Sequence, residues 1–125
     1  YIPTYQELRN NQNAKTGMYS ANEKCSGGYA ACWLGSGRDN QLQWNDVYVK
    51  KAGMHRVTIT YFCAEDRDMD LIVNGEKVTT LQTHSHDWNR AATISYNVKL
   101  RKGRNSICLS NDVAWMPDID KMVVE

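Results

Sequence analysis

Little in this sequence is built for crossing a membrane or coating a charged surface. No apolar run approaches the roughly 20 residues that a spanning helix needs. Fifteen Lys and Arg against 14 Asp and Glu leave a formal net charge of +1. Nucleic acid and anionic lipid are both held by basic patches, so neither is an expected partner, whereas a neutral or weakly charged ligand is. No secretory leader opens the chain, which starts at Tyr1 rather than Met, and a fragment excised from a longer polypeptide is expected. Residues 1–125 are one domain's worth of chain, enough to bury about two-thirds of the unfolded surface without further help.

Paired metal ligands are missing too. The four cysteines include no CxxC pair, and structural zinc favours ligands two to four residues apart. Cys25 and Cys32 are separated by six residues and could close a short loop as a disulfide or stand as two thiols, because the geometry a disulfide needs is not written in spacing. Cys63 falls in phase with Val57, Ile59 and Tyr61 and reads as a small buried hydrophobe. No Ser/His/Asp or Cys/His order can be assigned with structural logic, so an enzyme is not expected.

What the chain does have is a period of two, the strand signature. His55, Val57, Ile59, Tyr61 and Cys63 alternate with Arg56, Thr58, Thr60 and Phe62, and Ile94, Tyr96, Val98 and Leu100 alternate with Thr93, Ser95, Asn97 and Lys99. Asn74-Gly75 lies between Leu71-Ile72-Val73 and a second apolar-polar run, and both residues tolerate positive φ, which a two-residue hairpin turn requires. Strands are expected near residues 16–20, 29–34, 42–50, 54–63, 69–74, 77–82, 92–100, 104–110 and 119–124, with Gly53 and Gly103 as punctuation. Helical periodicity is confined to a capping-box pattern at Thr4 and Glu7. Short strands with turn signals every 8–12 residues predict an all-β fold, an antiparallel β-sandwich or jelly roll.

The last fifth stands out. Lys102-Gly103-Arg104-Asn105-Ser106-Ile107 leads to a loop carrying Trp115, then to Pro117-Asp118-Ile119-Asp120. An aromatic ring and two carboxylates in one terminal loop point to binding. Together with Cys25-Ser26-Gly27-Gly28-Tyr29, Trp33-Leu34-Gly35, Leu42-Gln43-Trp44-Asn45-Asp46-Val47, Val73-Asn74-Gly75 and Ser85-His86-Asp87-Trp88, in this order, the chain resembles the carbohydrate-binding modules of families 6 and 35. Within them it is most similar to the module appended to family 27 glycoside hydrolases of the α-galactosidase type, through Ala64-Glu65-Asp66-Arg67 and Trp115-Met116-Pro117-Asp118-Ile119-Asp120.

The resemblance implies a galactose-binding-domain-like sandwich that holds sugar in the loops at one end and does not cleave it. Its implied partners are a carbohydrate, a galactoside or a plant or host polysaccharide, and a catalytic glycoside hydrolase domain on the same polypeptide. The implied setting is secreted, periplasmic or cell-surface. Carried over by motif, the ligand-binding residues are Tyr29, Trp88 and Asp118, with Asn111 and Trp115 on the adjoining loop. The chemistry agrees, because a pyranose has an apolar C–H face that stacks on an aromatic and a rim of hydroxyls that needs polar partners. Tyr and Trp, apolar in body and polar at the tip, suit a half-wet site mouth. Trp33, beside Leu34, and Trp44, in phase with Leu42, are expected in the core instead.

Two departures from the family pattern bear on the site. Asp118 stands where the family usually has Asn, and an ionised acid cannot donate a hydrogen bond. The family's structural calcium, for which hard oxygen ligands are apt, would use Asp120 and Glu7, but Tyr5-Gln6-Glu7-Leu8 keeps one carboxylate where two are usual. Asp118 and Asp120 are not an acid/base pair by this reading, since glycosidase carboxylates flank a scissile bond about 5–9.5 Å apart. His84-Ser85-His86 reads as a solvated loop, and Arg67, in a run of alternating charge, as a solvated turn residue that could also reach the sugar loops as a donor.

Overall fold

The computed structural model describes residues 1–3, 18–37 and 40–125. The capping-box residues Thr4 and Glu7, and the start of the first expected strand, lie outside the described residues. Within them the chain forms nine strands: β1 (Met18–Ala21), β2 (Tyr29–Cys32), β3 (Leu42–Val49), β4 (Gly53–Phe62), β5 (Arg67–Val73), β6 (Glu76–Thr83), β7 (Ala92–Leu100), β8 (Gly103–Ser110) and β9 (Asp118–Val124). A five-stranded sheet of order β1-β2-β9-β4-β7 packs on a four-stranded sheet of order β3-β8-β5-β6. Every pairing is antiparallel. The expected sandwich and each expected strand are present, with boundary shifts of up to two residues: β2 ends at Cys32 rather than at Leu34, and β5 starts at Arg67 rather than at Met69.

Alternation fills the interior. Val57, Ile59 and Tyr61 of β4, Leu71 and Met69 of β5, and Leu42 and Trp44 of β3 are all buried in one cluster between the sheets. Each fully buried aliphatic side chain contributes roughly 1.5–3 kcal/mol of transfer free energy, so the inward faces of these strands dominate the stability. Trp44 is core, as its phase with Leu42 implies, and among the described residues its indole N–H has no hydrogen-bond acceptor.

Of three register shifts among the described strands, two bear on the core. Trp44 and Val47 are three residues apart, which on a regular strand would turn them to opposite faces. A register shift between them lets both face inward. The same happens on β9, where Ile119 pairs with Tyr61 and Lys121 with Thr60, leaving Asp120 as the extra residue. Ile119 and Met122 are thereby both buried in the core, as a bulge permits.

Phe62 is the one member of the outward set on β4 that the polar alternation misassigns. It is fully buried, in a small second cluster with Cys25, Ala30 and Cys32 beneath the β1–β2 hairpin. All four cysteines are buried free thiols. Burial pushes Cys108 up to about 12, and burial with the nearby carboxylates of Asp120 and Asp118 pushes Cys25 up to about 11. Thiols so far above neutrality hold almost no nucleophilic thiolate. Cys63 is core, as its phase implies, and its Sγ donates to the Glu65 carbonyl.

The β5–β6 turn is the predicted hairpin, with Asn74 at φ 50° and Gly75 at φ 85°. Gly35, at φ +92°, is held more tightly: a Cβ there would sit 2.5 Å from the Ala114 carbonyl oxygen and 2.9 Å from the Met116 nitrogen, whereas nothing lies within 4 Å of one at Gly75. The two glycines therefore separate conformational strain from steric exclusion. Gly75→Ala should cost about 1 kcal/mol, the left-handed penalty alone. Gly35→Ala should cost about 3 kcal/mol or more, because backbone must also move. Urea unfolding of both variants checks this, and equal losses would contradict it.

Candidate functional site

One end of the sandwich gathers the C-terminal end of β2, the start of β9, the start of β5 and the loops after β4 and β6. There a cleft of about 410 Å³ is lined by Ser20, Cys32, Trp33, Glu65, Arg67, Trp88 and Asp118, within the range of small-ligand sites. Trp88 and Asp118 are thus brought together as the motif implied. Tyr29 is not among the lining residues. It opens β2, three residues before Cys32, the residue of that strand that lines the cleft.

The aromatic at that end is Trp33, which corrects its expected core position. It is 55% exposed because β2 stops at Cys32 and the backbone turns to φ 57° at Trp33. That left-handed conformation is uncommon for a bulky residue, and Asn40 holds it, donating from Nδ2 to the Trp33 carbonyl at 2.7 Å and to the Gly35 carbonyl at 3.0 Å. A strained residue clamped beside a cleft is a common mark of a functional site. The sequence signal was weak, since Trp beside Leu in an apolar run reads as core.

Trp88 is positioned by the loop it sits in. Ser85, 2% exposed, accepts from the Cys63 N–H at 2.7 Å, and its own N–H donates to the Cys63 carbonyl at 2.8 Å. The loop after β6 is thereby pinned to the end of β4. The Arg67 guanidinium lies 4.7 Å from the centre of the Trp88 ring, a cation–π distance. Its Nη1 donates to the Met116 carbonyl at 3.0 Å, and Nε and Nη2 reach Glu65 Oε2 at 3.3 and 3.2 Å. Arg67 is therefore a cleft residue and not a solvated turn.

Asp118 pairs with Phe62 at the head of β9 and opens into the cleft. Burial raises its pKa, while the Cys32 side chain and the Arg67 charge offset part of the rise. The Cys32 thiol is pushed up to about 12, by burial first and then by Asp118. Asp120 has the opposite surroundings. It is 3% exposed, and it accepts from the Ser26 N–H at 2.8 Å and from the Ser26 hydroxyl at 3.4 Å, closing the β1–β2 loop. Asp118 lines the cleft and Asp120 does not.

Trp115 and Asn111 stand next door. A second depression of about 480 Å³ is bordered by Asn111, Val113, Trp115, Asp68, Glu65 and Arg67 among others. Trp115 meets Trp33 edge to face, with ring centres 5.6 Å apart. Asn111 spends its side chain on the loop, accepting from the Val113 and Ala114 N–H groups and donating to the Asp68 carbonyl. It shapes this depression more than it offers free polar atoms.

For a calcium ion, Asp120 supplies a hard carboxylate, but Glu7 lies outside the described residues. Among the described residues no group of three or more His, Cys, Asp and Glu side chains is placed to hold a metal. His84 and His86 have ring centres 4.3 Å apart, and His84 pairs with the Asp66 carboxylate. Among the described residues no helix is long and apolar enough to cross a membrane.

The chain is a two-sheet antiparallel sandwich with an aromatic-walled cleft among its end loops, and solved structures share that fold. The chain is similar to a family 35 carbohydrate-binding module from Clostridium thermocellum, at 27% identity and a TM-score of 0.83, over 99% of this chain and 90% of that one. It is also similar to the exo-β-1,3-galactanase of Phanerochaete chrysosporium solved with β-1,3-galactotriose, at 25% identity and a TM-score of 0.82, over 100% of this chain but 29% of the enzyme. A family 35 module from Cellvibrio japonicus matches at 23% identity and a TM-score of 0.76, over 88% of this chain and 83% of that one. No protein-family model matches the chain, and no curated protein sequence does.

The raised Asp118 pKa has a measurable sign. Its folded-state value lies above the unfolded one, so folding favours the neutral acid. The cost of burying the charged form is present at pH above the raised value and is relieved as pH falls through it. A carbon-detected NMR titration should place the Asp118 midpoint above the ordinary value of about 3.9. The Arg67→Met variant should move it higher still, and a midpoint at or below the ordinary value would contradict the burial argument.

Proposed function

We propose that this domain is a non-catalytic carbohydrate-binding module whose site is the cleft of Trp33, Trp88, Arg67 and Asp118. The observation that carries the reading is the convergence of two indole rings with one carboxylate and one guanidinium at a single loop end of a sandwich. Indole faces take the apolar side of a pyranose, Asp118 accepts from its hydroxyls, and Arg67 offers the N–H groups left over from Glu65 and Met116. Support comes from the likeness to family 35 binding modules, which are binding domains and not enzymes.

The finer reading is that the ligand is a galactoside, that the domain is attached to a glycoside hydrolase, of the α-galactosidase type by motif resemblance, and that it works outside the cell, where such glycans lie. The likeness to part of a galactanase solved with a galactose oligomer supports the sugar and the attachment. In such a protein the module raises the effective concentration of substrate near the catalytic domain.

Two predictions test this reading. Galactose or β-1,3-galactobiose should change the tryptophan fluorescence, since Trp33 is half exposed in the unliganded cleft. Trp33→Ala and Trp88→Ala should each weaken binding about tenfold or more, as loss of a stacking anchor does, while Tyr29→Ala leaves affinity unchanged. Isothermal titration measures all three, and loss confined to Tyr29→Ala would move the site to the far end of β2.

A structural calcium at Asp120, with Glu7 as the second carboxylate, also belongs to the proposal, since Asp120 keeps lone pairs beyond those Ser26 uses. Added calcium should then raise the melting temperature and chelator should reverse it, with Asp120→Asn abolishing the response. A melt indifferent to calcium would show that Ser26 alone satisfies Asp120.

A further inference from the structure

We infer that the site takes a chain of at least two neutral sugar residues, with the depression at Trp115 and Val113 as a second subsite beside the Trp33–Trp88 cleft. The inference rests on the carbohydrate reading above and specifies what that site accepts. The two depressions are neighbours in structure: Glu65 and Arg67 line both, and the edge-to-face pair of Trp33 and Trp115 forms the ridge between them. A ligand resting on Trp33 therefore meets Trp115 next.

The second depression is built, not incidental. Val113 is 87% exposed, an apolar side chain left in water on a loop that is firmly fastened. The Ser36 N–H donates to the Ala114 carbonyl at 2.7 Å, the Gly37 N–H to the Asn111 carbonyl at 3.2 Å, and the Met116 N–H to the Leu34 carbonyl at 2.8 Å. With the Asn111 side chain bonded to the Val113 and Ala114 N–H groups, the loop carrying Trp115 is laced to the loop carrying Trp33. An aromatic wall held this way costs little ordering on binding.

Charge selects the class of sugar. Among the described residues that line the two depressions, Glu65, Asp66, Asp68 and Asp118 stand with one cation, Arg67, whose guanidinium is already engaged by Glu65 and the Met116 carbonyl. Carboxylates outnumber cations among these described lining residues, which disfavours a uronic acid residue. Neutral pyranoses, whose hydroxyls donate to carboxylates, are the matching ligands.

The test is isothermal titration of the folded domain with galactose, β-1,3-galactobiose, β-1,3-galactotriose and digalacturonic acid, repeated on Trp115→Ala and Val113→Asp. Val113 is exposed enough that its variant folds regardless. The biose and triose should bind about tenfold tighter than galactose, Val113→Asp should bring them down to the affinity of galactose while leaving galactose unchanged, Trp115→Ala should weaken the oligomers more than it weakens galactose, and the diacid should not bind. Equal affinity for galactose and the oligomers, or variants without effect on the oligomers, would overturn the second subsite and leave the sugar reading intact. Tight binding of digalacturonic acid would overturn the charge selection. Silence from all the sugars would overturn the galactoside reading, and this inference with it.

Discussion

The central strand β9 is the constraint on which the rest of the molecule depends. It lies between β2 and β4 in the five-stranded sheet, so its register fixes the β1–β2 hairpin on one side and the long β4–β7 pairing on the other. The bulge at Asp120 lets Ile119 and Met122 both enter the core and turns the Asp120 carboxylate toward Ser26. One extra residue thus ties the hairpin loop down and leaves Asp118, at the open end of the same strand, free to face the cleft. Without the bulge, Met122 would leave the core for the outer face.

Arg67 organises the cleft that β9 opens. A guanidinium presents several donors in a fixed plane, and here the plane serves three elements at once: the Trp88 ring from the loop after β6, Glu65 from the loop before β5, and the Met116 carbonyl just ahead of β9. Each contact alone is modest, since a half-exposed ion pair is worth little. Their shared geometry fixes the relative position of three loops that carry the candidate site. The same engagement leaves Asp118 only partly compensated, which is why burial still prevails and raises its pKa.

Much of the fold was legible because alternation and turn chemistry are local. The Asn74-Gly75 hairpin, the inward set on β4 and the nine-strand order all follow from neighbours in sequence. Phe62 was not legible, because its burial depends on Cys25 of the β1–β2 loop and on Ala30 and Cys32 of β2, residues distant in sequence. Trp33 was misread for a related reason: where β2 ends is decided by the positive φ at Trp33 and by Asn40, seven residues away, and no period-two pattern carries that information. Trp88 and Asp118 were found through motif resemblance, and the structure brings them together. Tyr29, carried over from the same resemblance, opens β2 and is not among the residues that line the cleft. Arg67 had an ordinary charged-turn context, and only the packing of Trp88 and Met116 around it distinguishes it from a solvated residue.

The conformation at Trp33 links the fold to the proposed chemistry. A left-handed backbone at a bulky residue is unfavourable by about 1–3 kcal/mol and persists only where neighbours over-determine it. Asn40 supplies that determination through two hydrogen bonds, and Gly35, where a Cβ would crowd the Ala114 carbonyl, brings Trp115 alongside through its bridge to that residue. The strain is thus borne during folding, before any ligand arrives. A ligand meeting Trp33 finds the ring already turned outward and braced by Trp115 and need not order it. A shallow, half-open cleft gains affinity chiefly in this way, because it can enclose too little of a sugar to rely on buried area alone.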